Sequence, residues 1–234
     1  MEFNLTEEQK LLQSTMRDFA ASELEPAATR IEKTGEFPTA EVRKMAGLGL
    51  FGLTIPEKYG GSGRGKMDLC IAVEELARAS AAIDNYLRVS LSLAIVPILE
   101  FGTEEQKRKY LPPHASGEKM ACFALTEAGA GSDPSGMLTT AVRRAGGYVI
   151  NGNKVFISIG DKAEIVVVFA TTDKSLKGRG ITAFVMGKDT PGLAVGKHED
   201  KMGLHGFSST ELIFQDCHIP EANRIGREGQ GLRI

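Results

Sequence analysis

Apolar positions over residues 1–117 recur three and four apart, as on helices, whereas those that follow alternate or run continuously, as in strands. Thr6-Glu7-Glu8-Gln9 has the form of a capping box, the Thr6 hydroxyl taking the Gln9 amide while Gln9 reaches back. Leu11, Leu12, Met16, Phe19 and Ala20 follow at helical spacing, and Pro26 places the end of this first helix near Glu23. A short second helix is predicted after Pro38, with Val42, Met45 and Ala46 inward and Gly47 and Gly49 closing it. Asp68 reads as the cap of a third, whose Leu69, Ala72, Val73, Leu76 and Ala77 share one face. A fourth, Tyr86–Phe101, is apolar nearly all round, as buried helices are. Thr103-Glu104-Glu105-Gln106 repeats the capping box, which common helix-start chemistry explains better than an internal repeat. Pro112-Pro113 is expected to stop that helix. Tyr59-Gly60-Gly61-Ser62-Gly63 can only be a loop.

Met137–Arg144 alternates, Gly146-Gly147 turns, and Asn151-Gly152 is predicted to split Tyr148–Ile159 by a tight turn. Glu164–Thr171 has the continuous apolar centre of a strand buried on both faces. Ile181–Gly187, Leu193–His198 and Thr210–Asp216 are further strands. Helices first and strands second, without βαβ alternation, predict an α+β chain. Its domains are an all-helical one over 1–117 and an antiparallel β-barrel or sandwich over 118–220, divided near Ser116-Gly117. Glu221–Ile234 regains a helical look, and Leu232-Arg233-Ile234 reads as the first turn of a helix, so 221–234 is taken as the start of a truncated helical domain.

Composition changes this picture little. The chain has 234 residues, 42% hydrophobic and 25% charged, which excludes a disordered polymer. With 28 basic and 30 acidic side chains it carries no electrostatic footprint for nucleic acid. Its uninterrupted apolar runs, Leu93–Leu99 and Ile165–Ala170, are far short of a membrane span, and the acidic start has no basic region leading into an apolar one. Three widely spaced cysteines argue for a reducing, cytoplasmic compartment. The four histidines lack the spacing of a zinc site, so no metal is expected.

Candidate chemistry gathers where the helices give way to strands. Phe123–Asp133 passes from an apolar strand into a Gly-rich loop in which Gly129 and Gly131 would let several N–H groups converge, a nest suited to a pyrophosphate. The spacing is not G-x-G-x-x-G and no βαβ unit surrounds it, which disfavours a dinucleotide fold. Without context such a loop is more often a plain turn, and Phe123, Leu125, Phe156 and Ile157 are more often core. Glu127 invites a role as a base, but a carboxylate in a polar turn more often caps local N–H groups. His114, His198 and His205 read as surface or loop residues.

The stretch FALTEAGAGSDPSG, Phe123–Gly136, resembles the flavin loop of the acyl-CoA dehydrogenase family. Lys154-Val155-Phe156-Ile157-Ser158 resembles the second flavin motif of that family, K-x-W-I-T. Tyr59–Gly63, Gly102–Leu111 and Gly226–Gly231 fall where the family places similar sequences, so the likeness runs over essentially the whole chain. It implies FAD contacts from Phe123, Leu125, Thr126, Gly131, Ser132, Phe156, Ile157 and Ser158. Thr126 would bond the pyrimidine side of the ring, and Phe156 would stack in the tryptophan's place. Ser158 would stand beside flavin N5 as the threonine does, and Ser132 would also bind the pantetheine arm of the substrate. Lys174, Lys177 and Arg179 are ordinarily a solvated hairpin; the alternative is contact with CoA phosphates. Val89, Ser90 and Leu93 are expected to line the acyl pocket.

The resemblance implies α,β-dehydrogenation of an acyl-CoA thioester to the 2-enoyl-CoA, in fatty acid metabolism, with electrons passed to electron-transferring flavoprotein. It also implies a homo-oligomer, dimer or tetramer, when full length. The family's catalytic base is a carboxylate in a helical domain after the β-domain. It is expected beyond Ile234, so the chain is read as an incomplete fragment, inactive alone, with no catalytic residue to name. Two alternatives stand beside this: an acyl-CoA oxidase-like enzyme, and a non-catalytic module that binds FAD or acyl-CoA.

Overall fold

The first capping box opens α1, Glu7–Phe19: Gln9 N–H donates to Thr6 Oγ1 at 3.2 Å and Thr6 N–H donates to Gln9 Oε1 at 3.1 Å. The structure, a computed structural model, describes residues 4–234; the first three residues of the acidic start lie outside the described residues. One π-helical turn, Ala20–Leu24, leads into α2, Glu25–Thr34, which the sequence reading did not foresee. Pro26 starts that helix rather than only ending one, because its missing N–H falls in the first turn, where no intrahelical acceptor exists. α3 spans Thr39–Gly47 and buries Val42 and Met45. The Tyr59–Gly63 loop lies along the backbone of residues 52–55, with Ser62 N–H on Gly52 O at 2.9 Å and Gly63 N–H on Ile55 O at 2.8 Å. A Cβ on Gly61 would stand 2.0 Å from Ile55 O, so only glycine fits.

α4 spans Lys66–Val89. Asp68 caps it from the third helical position, accepting from Gly65 N–H at 3.2 Å, not from the N-cap itself. Ser80 is non-helical (φ −157°, ψ 104°) and its hydroxyl accepts from Ile83 N–H at 3.4 Å, so it caps a second segment inside α4. The expected helix Tyr86–Phe101 is instead the end of α4, a π turn over Ser90–Ala94, and α5, Val96–Phe101, with Pro97 in its first turn. By length and composition residues 66–101 are apolar enough to cross a membrane, a property that counting uninterrupted runs missed; 72% of the most apolar window is buried, as in a core helix. α6, Glu104–Ala115, opens on the second capping box and continues through Pro112 and Pro113. Tyr110, Leu111, His114 and Ala115 are all buried, and that burial outweighs the backbone bonds two prolines remove.

The chain forms two compact units: one of residues up to Leu91 with Pro112–Glu118 and Lys201–Phe207, the other of Ser92–Leu111, Lys119–Asp200 and Ser208–Ile234. In the first, Leu24, Ile31, Met45, Phe51, Ile55, Leu76 and Ile83 are fully buried. A forked pair from Arg17 to the buried Glu75, at 2.7 and 3.0 Å, joins α1 to α4. Tyr86 stands edge-on to Phe37 and Phe207, and its hydroxyl donates to Gly206 O at 2.6 Å.

In the second unit the described residues build one eight-stranded sheet: β1 Ala121–Ala124, β2 Thr140–Arg144, β3 Gly147–Ser158, β4 Ile165–Thr171, β5 Ile181–Gly187, β6 Leu193–His198, β7 Ser209–Pro220 and β8 Arg224–Ile225. The order is β6-β7-β3-β2-β4-β5-β8, with β1 parallel on β4. β2 also meets β4 in parallel, at Thr140 and Thr171, and the remaining pairs are antiparallel. The sheet is therefore mixed where the sequence suggested an all-antiparallel one, because the buried β4 accepts β1 along its length. Asn151-Gly152 is no turn: β3 runs straight through it as a bulge against β7, pinned by a two-way bond between the Asn151 amide and Asp216. Residues 221–234 form two 3-10 turns around β8, not a helix.

Candidate active site

β1 ends at Ala124, and the chain then makes a tight turn in which Glu127 and Ala130 exchange both backbone hydrogen bonds, at 3.1 and 3.2 Å. Neither Gly129 nor Gly131 has a positive φ, so the expected nest of alternating backbone conformations is not what these glycines provide. A Cβ on either would meet nothing within 4 Å. Their bareness keeps open space above the backbone, which suits close approach by a ligand better than any need of the turn itself. Ser132 is exposed beside them.

The second motif lies on β3 at a register shift between Lys154 and Ile157. That irregularity puts Phe156 at φ +57° and turns its ring outward, 61% exposed, between a half-buried Val155 and a buried Ile157. Ile157 points the other way and is only 1% exposed, so the residue assigned to the cofactor on the family pattern has a core side chain and only backbone to offer. Ser158 is half-buried at the end of the strand. Phe123 and Leu125 are half-buried, and the Phe123 ring packs 4.8 Å from that of Phe169.

The two motifs meet. Val155 N–H donates to Thr126 O at 2.9 Å, and Lys154 Nζ donates to Leu125 O at 2.9 Å. Lys154 Nζ also pairs with Glu127 Oε1 at 2.8 Å, with both side chains buried. Glu127 further accepts from Leu138 N–H at 2.6 Å and Thr139 N–H at 3.0 Å. Burial pushes the Glu127 carboxyl up, but the bonds from Lys154, Thr139 and Leu138 outweigh it, and it lies below its ordinary value. Burial pulls the Lys154 ammonium below its ordinary value against the opposing pull of Glu127. Glu127 thus caps N–H groups as expected, with a buried partner the sequence reading overlooked. The available signal was a lysine inside an otherwise apolar strand.

Beside the loop, Ser135–Leu138, Thr171, Lys174 and Lys177 line a cavity of about 370 Å³. Thr171 Oγ1 is buried there with no hydrogen-bond partner among the described residues. A second cavity, about 630 Å³, is walled by Ser175–Arg179, Gly229, Leu232 and Arg233. Lys174, Lys177, Arg179 and Arg233 make this a cationic stretch. Of the residues expected along an acyl pocket, Val89 and Ser90 are buried and Leu93 is exposed.

Family models of the acyl-CoA dehydrogenase N-terminal domain and middle domain match residues 6–118 and 122–217. The chain belongs to the acyl-CoA dehydrogenase family. It is 46% identical to an acyl-CoA dehydrogenase of Bacillus subtilis over 99% of its own length and 61% of the relative's. With the human mitochondrial short-chain specific acyl-CoA dehydrogenase the identity is 44%, covering 98% of this chain and 56% of the relative. Among solved structures it matches, at TM-score 0.96 and 43% identity, a chain from work on the electron transferring flavoprotein of Acidaminococcus fermentans, covering 100% of this chain and 61% of that one. An acyl-CoA dehydrogenase complexed with FAD from Bacillus anthracis matches at TM-score 0.90 and 36% identity, covering 98% and 39%. The chain thus spans about three fifths of the length of the curated relatives it matches.

Proposed function

We propose that the full-length protein dehydrogenates an acyl-CoA thioester at its α,β-carbons to the 2-enoyl-CoA, using FAD and passing electrons to electron-transferring flavoprotein. The observation that carries this reading is the meeting of Leu125–Thr126 with Lys154–Val155, which joins the bare Gly-rich loop to the exposed ring of Phe156. These residues fit FAD: an outward aromatic for a flat ring, hydroxyls at Thr126, Ser132 and Ser158, and open space over Gly129 and Gly131. When bound, FAD supplies the acceptor for the hydride leaving the β-carbon. This chain's residues orient it, Phe156 by its face and Thr126 and Ser132 by donated hydrogen bonds.

The orphaned Thr171 hydroxyl with Lys174 and Lys177, and Arg179 with Arg233, support contacts to the polar arm and phosphates of CoA. The relative named short-chain specific supports a short acyl group. An α-proton of a thioester is weakly acidic, so its removal needs a desolvated carboxylate with a free lone pair. Glu127 is excluded from that role, because three donors hold it ionised and occupied. The base is assigned to the part of the relatives' length that this chain does not span. The split of the family models between 118 and 122 supports reading 1–117 and 118–220 as the domains, whereas residues 221–234, read as the start of a third, pair with β5 through β8 and belong with the sheet. The three free thiols support a reducing compartment, which we take as cytoplasmic, and the family likeness supports a homo-oligomer. Anaerobic titration of the full-length protein tests the function: a visible flavin spectrum that bleaches with butyryl-CoA is expected, and a protein that takes up no FAD would refute it.

A further inference from the structure

A buried ion pair is a poor way to stabilise a sheet, since apolar side chains of like volume do as well or better. Lys154 and Glu127 nevertheless sit fully inside the second unit, and together they tie residues 125–127, 137–139 and 154 to one point. Their geometry shows what they control. In a trans peptide the C=O of one residue and the N–H of the next point in opposite directions. Lys154 Nζ draws Leu125 O inward at 2.9 Å, so the N–H of Thr126 points away from it. Thr126 O is held by Val155 N–H and Glu127 N–H by Ala130 O, so neither flanking peptide can rotate to compensate. Among the described residues the Thr126 N–H meets no backbone acceptor. A buried ammonium on the carbonyl also polarises that peptide and strengthens its N–H as a donor.

We propose that Lys154 and Glu127 are positioning residues for the flavin, orienting and polarising the Leu125–Thr126 peptide so that its N–H is a strong donor aimed at the cofactor. This rests on the FAD reading above. Glu127 keeps the ammonium charged and in place, and Lys154 sets the peptide.

The test replaces both charges, Lys154→Met with Glu127→Leu, in the full-length protein. Each single change strands a buried charge and is expected to lower the melting temperature. The double change removes both and is expected to restore it. If the pair positions the flavin, the restored double variant still binds FAD about tenfold or more weakly. It also shifts the flavin absorption bands and exchanges amide hydrogens faster over residues 124–132. If that variant does not fold, Lys154→Met with Glu127→Gln, which keeps the acceptor for Thr139 and the carboxylate's volume, takes the same measurements. Wild-type FAD affinity, flavin spectrum and loop exchange in a folded double variant would overturn the proposal and leave the pair merely structural. Should the wild-type protein take up no FAD, the dehydrogenase reading fails, and the exchange measurement alone decides: unchanged protection at 124–132 overturns positioning too.

Discussion

Ser158 and Asp84 show how differently a side chain's surroundings decide its chemistry. Ser158 ends β3 half-buried, with the hydroxyl the flavin motif calls for. Changing Ser158 to Ala in the full-length protein should leave FAD bound but slow flavin reduction roughly ten- to a hundredfold, the effect of about 1.5–3 kcal/mol from one bond to a polarised group. Rapid-mixing reduction by acyl-CoA measures this, and an unchanged rate takes Ser158 out of the site. Asp84, on α4, is 2% exposed with Oδ1 unpartnered among the described residues. Burial pushes its carboxyl up to about 7, against the opposing pull of Arg88. The sign follows. The folded state holds the proton that the unfolded state releases near pH 4, so stability is greatest below that and falls as pH rises towards about 7. Asp84→Asn should therefore be more stable than wild type at pH 8 and flatten the stability profile across that window, read by urea unfolding at several pH values. A profile as steep as the wild type's would place the titration elsewhere.

Elements were legible where the signal is local and misread where tertiary packing decides. Both capping boxes formed as written, because a hydroxyl and an amide three residues apart need no other partner. Asn151-Gly152 and Pro112-Pro113 failed as stop signals for one shared reason: their neighbours are buried strongly enough to carry the element through. The two flavin motifs were legible as motifs, but the exposure of Phe156 was not, since its place in an apolar strand reads as core. Their joining by Lys154 and Glu127 was not, since a contact 27 residues apart leaves no periodic trace. The bulge on β3 gives a test at this scale. Gly152 has φ +147°, and a Cβ there would lie 2.4–2.7 Å from Thr139 atoms. Thr139 in turn donates its N–H to Glu127. Gly152→Ala should cost about 2–4 kcal/mol from backbone strain and overpacking. It should also weaken FAD binding, because the displaced Thr139 pulls on Glu127. Denaturant titration and equilibrium binding read the two effects, and near-wild-type stability would show that the bulge yields more readily than argued.

At the scale of the molecule the two compact units divide the work unevenly. All eight residues assigned to the cofactor belong to the sheet-containing unit, and none to the unit that carries α1–α3 and α4. The sheet holds them on a frame in which β4, wholly buried, pairs alongside β1, the strand from which the loop leaves. Its own apolar burial is what such a frame needs to exist before any ligand arrives, so FAD should find a formed site and act by mass action on the folded state. At a hundredfold excess over its Kd a ligand that binds only the folded state adds about 2.7 kcal/mol. For a chain of this size that corresponds to a rise in melting temperature of roughly 5–10 °C. Calorimetry of the flavin-free protein with increasing FAD should show that rise growing with the logarithm of concentration, and adenosine diphosphate alone should reproduce only part of it. Amide exchange should slow chiefly over β1, the 124–132 loop and the end of β3. A melting temperature indifferent to FAD would mean that the bare loop and outward ring form a surface for something else.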